Sequence, residues 1–283
     1  MAGHAFAFNE ESETAVTDPP APETGTPLKN SLWNLLFRVI SSTDHSRTAW
    51  TAILRGACLG FFKEPIDLLP SADNDASRVA FRERFFSLAE YRIYDLYEFL
   101  LVDDRAGMKE MDRKLIRHSL NGILDQERAP VRLLRDRLVP LPDSLGFDAV
   151  GTAEENIEMF DIPAASRHLE SALAYLSRRP EPASQEAVRE ATLAVAAVVR
   201  SLGGMKGSVA LGTVAPIAGS LGLPSDLLAG MEAILRRCHA VSGLPGSEPG
   251  AAAVAPGEAT FLVVFCSSMV NCLLSISGKL GPR

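Results

Sequence analysis

Two groupings of arginine and histidine in this chain of 283 residues have a spacing that could serve chemistry: Arg236, Arg237 and His239 form one, Arg113 and His118 the other. An imidazole titrating near neutrality takes a proton from a ribose 2′-hydroxyl, while a guanidinium holds the phosphate and the charge growing on it. The first group closes an apolar-periodic stretch, where cations complement a helix dipole and bond its last carbonyls, so capping is its simpler role. In the second, residues five apart diverge by about 140° around a helix, which leaves Arg113 with Arg117 on a solvated edge. A longer stretch, 105–137, carries nine Lys/Arg against five Asp/Glu and offers Arg128, Arg132, Arg135 and Arg137 as nucleic-acid contacts. Glu127 and Asp136 interleave with them and aromatic residues are missing, a pattern closer to a solvated surface than to a strand-binding platform.

Other chemistries find less support. Cys58, Cys238, Cys266 and Cys272 form no CxxC and have no histidines clustered near them, so no metal site and no cofactor is expected. Gly203, Gly204 and Gly207 lack the preceding strand and the GK[ST] of a phosphate loop. Tyr91, Tyr94 and Tyr97 read as core-edge packing with hydroxyls reaching water. His168 opens an apolar helix and reads as packed or capping, with no carboxylate partner in register.

The elements that must position these residues are helical. Leu28, Leu32, Leu35, Leu36, Val39 and Ile40 recur at spacings of three and four, as do Trp50, Ile53, Leu54, Ala57 and Phe61. A turn at Pro70, Ser71, Asn74 and Asp75 precedes one helix through Phe85, Leu88, Ile93, Leu96 and Leu100, and Met108, Met111, Leu115, Ile123 and Leu124 make the next. The proline-rich 126–143 predicts a small β-hairpin near 131–140, and 143–163, without sustained periodicity, is read as a domain boundary. Beyond it come helices through Ala165–Leu176, Val188–Leu202, Ser225–Leu235 (N-capped at Ser225-Asp226) and Glu258–Ser277, with a short helix within 207–224 and a loop over 242–257. Residues 1–27, with five acidic residues, four prolines and no Lys or Arg, read as a disordered acidic tail. Two helical domains follow, 28–150 and 164–283, in an all-α fold.

The balance of 28 Lys+Arg and 35 Asp+Glu gives 28 − 35 = −7, which argues against wholesale nucleic-acid binding and leaves room for a local basic site. The N-terminal residues lack a basic region followed by a long apolar one, and scattered thiols suit a reducing compartment, so a cytoplasmic location is expected. Residues 258–277 carry no charge after Glu258, yet Ser267, Ser268, Asn271 and Ser275 interrupt their surface. A bundle-core helix is expected there, with no membrane as partner.

Seven segments in order resemble the AbiJ-type abortive-infection proteins of bacteria: LKNSLWNLL (28–36), FFKEPIDLLP (61–70), YRIYDLYEFL (91–100), LNGILDQERAPVRLLRDRLVPLPD (120–143), HLESALAYLSRRPEP (168–182), VREATLAVAAVVRSLGG (188–204) and ATFLVVFCSSMVNCLL (259–274). The resemblance implies an N-terminal helical domain and a C-terminal HEPN-like antiparallel bundle. In active relatives that bundle cuts RNA without metal, using an Arg and a His brought together across a dimer cleft. Those relatives carry the pair just before the final helix, where this chain has Pro245 and Gly246. They also read close to EAxxAVEA where this chain has EATLAVAA, keeping Glu190 but placing Ala196 at the second carboxylate.

The resemblance therefore implies a phage-defence protein whose HEPN-like half has lost its nuclease residues and works through protein contacts as sensor, scaffold or antitoxin-like partner, self-associating through that half. The alternative is an active metal-independent endoribonuclease using Arg236, Arg237 and His239 as a displaced pair, supported by Glu190. That reading requires these side chains to converge on one concave surface, although Arg237 and His239 diverge by about 200° on a helical turn. A third reading is an RNA-binding module using the 105–137 edge.

Overall fold

The computed structural model describes residues 26–41, 46–67, 69–70, 73–141, 143–205, 214–244 and 253–278. Most of the acidic tail, and Pro245 with Gly246, lie outside the described residues. The chain is mostly helical, and its one sheet among the described residues has two short strands. In order the elements are α1 (Thr26–Ser41), α2 (Ser46–Ala57) running into a π-turn (Cys58–Phe62), α3 (Asn74–Ser87), α4 (Glu90–Val102), a 3₁₀ turn (Asp104–Ala106), α5 (Glu110–Gln126), β1 (Arg132–Leu134), β2 (Arg137–Val139), α6 (Ser144–Met159), α7 (Pro163–Leu176), α8 (Ser184–Leu202), α9 (Val214–Ser220), α10 (Ser225–Ser242) and α11 (Pro256–Ile276). The hairpin expected near 131–140 is present, with Leu133 opposite Leu138.

Several local expectations need correction. Asn74 and Asp75 begin a helix rather than a turn, because Asp73 caps it by accepting from the Asp75 and Ala76 amides. The single helix expected through Phe85 and Leu100 is two, broken at Leu88-Ala89. No Gly or Pro marks the break; Lys29 of α1 donates to the Phe86 and Leu88 carbonyls and so satisfies the end of α3 from outside. On α5 the buried face is Asp112, Arg113, Ile116, Leu120 and Leu124, while Met111 is 63% exposed. Two buried charges displaced the apparent stripe: Arg113 reaches the Asp103 carbonyl at 2.7 Å. Ser225 is the first residue of α10 and Pro224 its cap, without a side-chain capping bond.

The segment 143–163 holds α6, a regular helix. Its inner face is small, Gly146, Val150, Ala153 and Ile157, spaced four, three and four, and Asp143 caps it through the Gly146 amide at 2.6 Å. Gly146 is closely packed: a Cβ there would stand 3.2 Å from the capping carboxylate of Asp143 and 3.3 Å from the Val264 side chain of α11.

Buried apolar side chains fall into two clusters, one drawn from 28–138 and the other from 139–274, so the division runs through β2 and α6 packs with the second cluster. Trp33, Trp50, Phe81 and Phe85 centre the first, with Trp33 and Trp50 stacked at 5.5 Å. In the second, α8 lies against α7, α10 and α11. By length and apolar composition α11 is long enough to cross a membrane. Here Leu262, Val263, Cys266, Met269, Val270 and Leu273 are buried against the bundle. Ser267 and Ser268 bond carbonyls one turn back, and Asn271 donates to the Ala149 carbonyl of α6.

Candidate functional site

α8 and α10 carry the residues singled out for catalysis. Arg237 of α10 forks onto Glu258 in the first turn of α11, Nε to Oε1 at 2.6 Å and a terminal nitrogen to Oε2 at 3.1 Å. Arg237 holds the Glu258 carboxyl below its ordinary value, and Glu258 in turn raises the guanidinium's. Arg236 is exposed. His239 is half-buried, and its carbonyl accepts from Ser242 at 2.9 Å.

Glu190 of α8 belongs to a different neighbourhood. Its Oε2 lies 2.7 Å from Nδ1 of His168 on α7, and its Oε1 lies 3.6 Å from Nε of Arg189. This corrects the reading of His168 as lacking a carboxylate: the partner comes from the next helix. Both residues stand at nearly the same distance from the turn joining α7 and α8, 176 − 168 = 8 and 190 − 184 = 6, and in an antiparallel pair such positions lie side by side. That near-symmetry about the turn is the available signal in the sequence.

Thr192 fixes the other face of α8, where it meets the Cys238 and Cys266 thiols. Contact with Cys238, and then burial, push the Cys266 thiol well up, while Cys238 is lowered by the same contact. Residues 190 and 192 are about 200° apart, so Glu190 faces α7 as Thr192 faces α10 and α11. Cys238 points inward, and Arg237 and His239 flank it, each about 100° away. Glu190, Arg237 and His239 are thus not brought together by any contact among the described residues.

The arginines of 105–137 are largely engaged. Arg132 is buried, donating to the Ala129 and Val131 carbonyls and to Asp125, each at 2.8 Å. Arg117 is held by Asp136 and Glu110. Arg135 sits among Glu154 at 3.1 Å, Glu158 at 3.3 Å and Glu170 at 3.8 Å. Arg135 and Asp136 form the hairpin tip, both with φ > 0, at 44° and 65°. Arg128 and Arg137 are exposed, and Arg137 lines a cavity of about 270 Å³ with Arg135, Glu154 and Glu170.

Two of the three tyrosine hydroxyls bond within the protein rather than reaching water, Tyr94 donating to Glu90 and Tyr97 to the Leu32 carbonyl, both at 2.7 Å, while Tyr91 is exposed. Sequence reading passed over Arg179, in the turn before α8, which reaches Asp95 at 2.7 Å and Glu98 at 3.0 Å on α4 and joins the two clusters. Glu98 also accepts from the Leu138 amide at 2.6 Å. Burial pulls against the Arg179 charge, but Glu98 and Asp95 outweigh it and leave the guanidinium raised. Among the described residues no three His, Cys, Asp or Glu side chains gather as a metal ion needs.

No family model, curated protein or solved structure matches this chain.

Proposed function

We propose that the chain is a non-catalytic protein of the abortive-infection type, cytoplasmic, whose HEPN-like second half acts through protein contacts, including pairing with a second copy. One observation carries the non-catalytic part. The carboxylate and the cation that a ribonuclease reading needs are committed to separate partners, Glu190 to His168 and Arg237 to Glu258, from different sides of α8. General acid–base catalysis requires base and cation within hydrogen-bond reach of one ribose-phosphate. The ordered resemblance of seven segments supports the family, and the helical bundle is consistent with it.

The test is purified full-length protein incubated with total RNA in chelator, read for new RNA ends, alongside a solution mass. Intact RNA and a dimer mass are expected. A second, catalytic reading has one observation in its favour: His168 is half-exposed and oriented by Glu190, as a general base would be. Cleavage that disappears in a folded His168→Ala or His239→Ala variant would select it instead.

A further inference from the structure

We propose that the groove between α1 and α5, continued by the neighbouring ridge of α3, binds a single-stranded nucleic acid, with its phosphates on Arg38, Arg78 and Arg82 and a base stacked on Phe37. The groove has a volume of about 430 Å³ and is lined by Ser31, Asn34, Phe37, Arg38, Ile123 and Gln126. Phe37 is 40% exposed at the groove's edge, with the Arg78 guanidinium over its ring.

Cations and aromatic rings alternate along this surface. The Arg78 guanidinium lies 5.8 Å from the Phe37 ring centre, and that of Arg82 lies 4.7 Å from the ring of Phe86. A guanidinium over a ring keeps its N–H donors in its own plane, where phosphate oxygens can reach them as a fork. Arg78 and Arg82 stand one helical turn apart, about 6 Å along the axis, a step comparable to that between neighbouring phosphates of a strand. Asn34, Arg38 and Gln126 make no side-chain hydrogen bond or ion pair among the described residues, so two amides, each donor and acceptor, face the groove unspent. Unstacked bases are recognised by such an arrangement, a ring for the base face and amides for its edge.

Nearby carboxylates leave the cations available. Glu127 accepts from Ser31 at 2.6 Å. Asp75 lies 3.5 Å from Arg78 but is itself highly exposed, and such a surface pair contributes little. Glu83 follows Arg82 about 100° further round α3. On the 105–137 edge Arg117, Arg132 and Arg135 are tied to protein carboxylates and carbonyls, whereas here Arg78 and Arg82 lie over aromatic rings and Arg38 is exposed. This site lies in the first half of the chain and does not depend on the function proposed above.

Fluorescence anisotropy of the full chain with a labelled oligouridylate and a matched oligothymidylate, over a range of salt, tests the proposal. Binding is expected to weaken with salt. Phe37→Leu should lower affinity about tenfold by removing one stacking face, and Arg38→Ala should reduce the log K against log salt slope by about 0.7. Arg167→Ala, at an exposed position of α7 in the other cluster, should leave both unchanged. Equal affinity for the two strands would assign binding to phosphates and stacking, and preference for the RNA would add 2′-hydroxyl contacts from the amides. Absence of salt-dependent binding to both strands, or binding untouched by Phe37→Leu and Arg38→Ala in variants with wild-type circular dichroism, overturns it. Cleavage of the oligouridylate would count against the non-catalytic reading and leave this one standing.

Discussion

Arg179 shows how much one residue can matter here. Its guanidinium, 10% exposed, spans from the α7–α8 turn to Asp95 and Glu98 and so ties the second cluster to the first. Truncating one partner of a sheltered ion network leaves the others uncompensated. Because Asp95 and Glu98 keep some solvent, Arg179→Met is expected to destabilise by about 2 kcal/mol, read as a lowered urea midpoint. Glu154 gives a pH dependence. Burial raises its carboxyl above the ordinary value, against the pull of Arg135 and with Glu170 and Glu158 adding to the rise. The folded state then binds the proton more readily than the unfolded chain, so stability falls as pH rises from the ordinary glutamate range through the folded value. Unfolding midpoints across mildly acidic pH should show this slope, and Glu154→Gln should remove its share. Neither residue is legible as important in the sequence, because each acquires its partner from another element: 179 − 95 = 84 positions away on α4 in one case and 154 − 135 = 19 away in the hairpin tip in the other.

Helices were legible wherever one apolar face recurs, as in α1, α2, α7, α8 and α11, because periodicity reports burial directly. α6 was missed since its inner face is built of Gly146, Val150 and Ala153, too small to register as an apolar stripe, although their spacing is helical. α5 was placed but rotated, because Asp112 and Arg113 occupy its inner face and Met111 its outer one. Close approach of elements is similarly invisible in sequence until the neighbour is known. Gly56 of α2 is such a case: a Cβ there would stand 2.0 Å from the Arg105 carbonyl oxygen and 2.8 Å from the Ala106 carbonyl carbon. Both obstacles are backbone of the 3₁₀ turn. Gly56→Ala should therefore destabilise by about 3 kcal/mol, despite alanine's better helix propensity, and thermal unfolding would register the loss. An unchanged midpoint would mean that α2 and the turn are packed less tightly than described.

At the scale of the whole molecule, two apolar clusters share a hairpin whose tip faces both ways, Asp136 toward Arg117 of α5 and Arg135 toward the glutamates of α6 and α7. The expected division near 143–163 lies C-terminal to the place where the clusters part, because a boundary inside a paired strand leaves no linker composition to read. Of the candidate site, residue types were legible and their grouping was not. Glu190 and Arg237 are each close to a partner of opposite or complementary character, but these partners are His168 and Glu258 rather than one another. With base and cation held apart, we expect the chain to have no nuclease activity. The most direct test is metal-free incubation of a labelled single-stranded RNA with wild-type protein, His239→Ala and His168→Ala, followed by gel separation of the products. No strand scission above the protein-free control is expected from any of the three. Scission by the wild type that either histidine variant abolishes, with folding intact, would contradict this expectation.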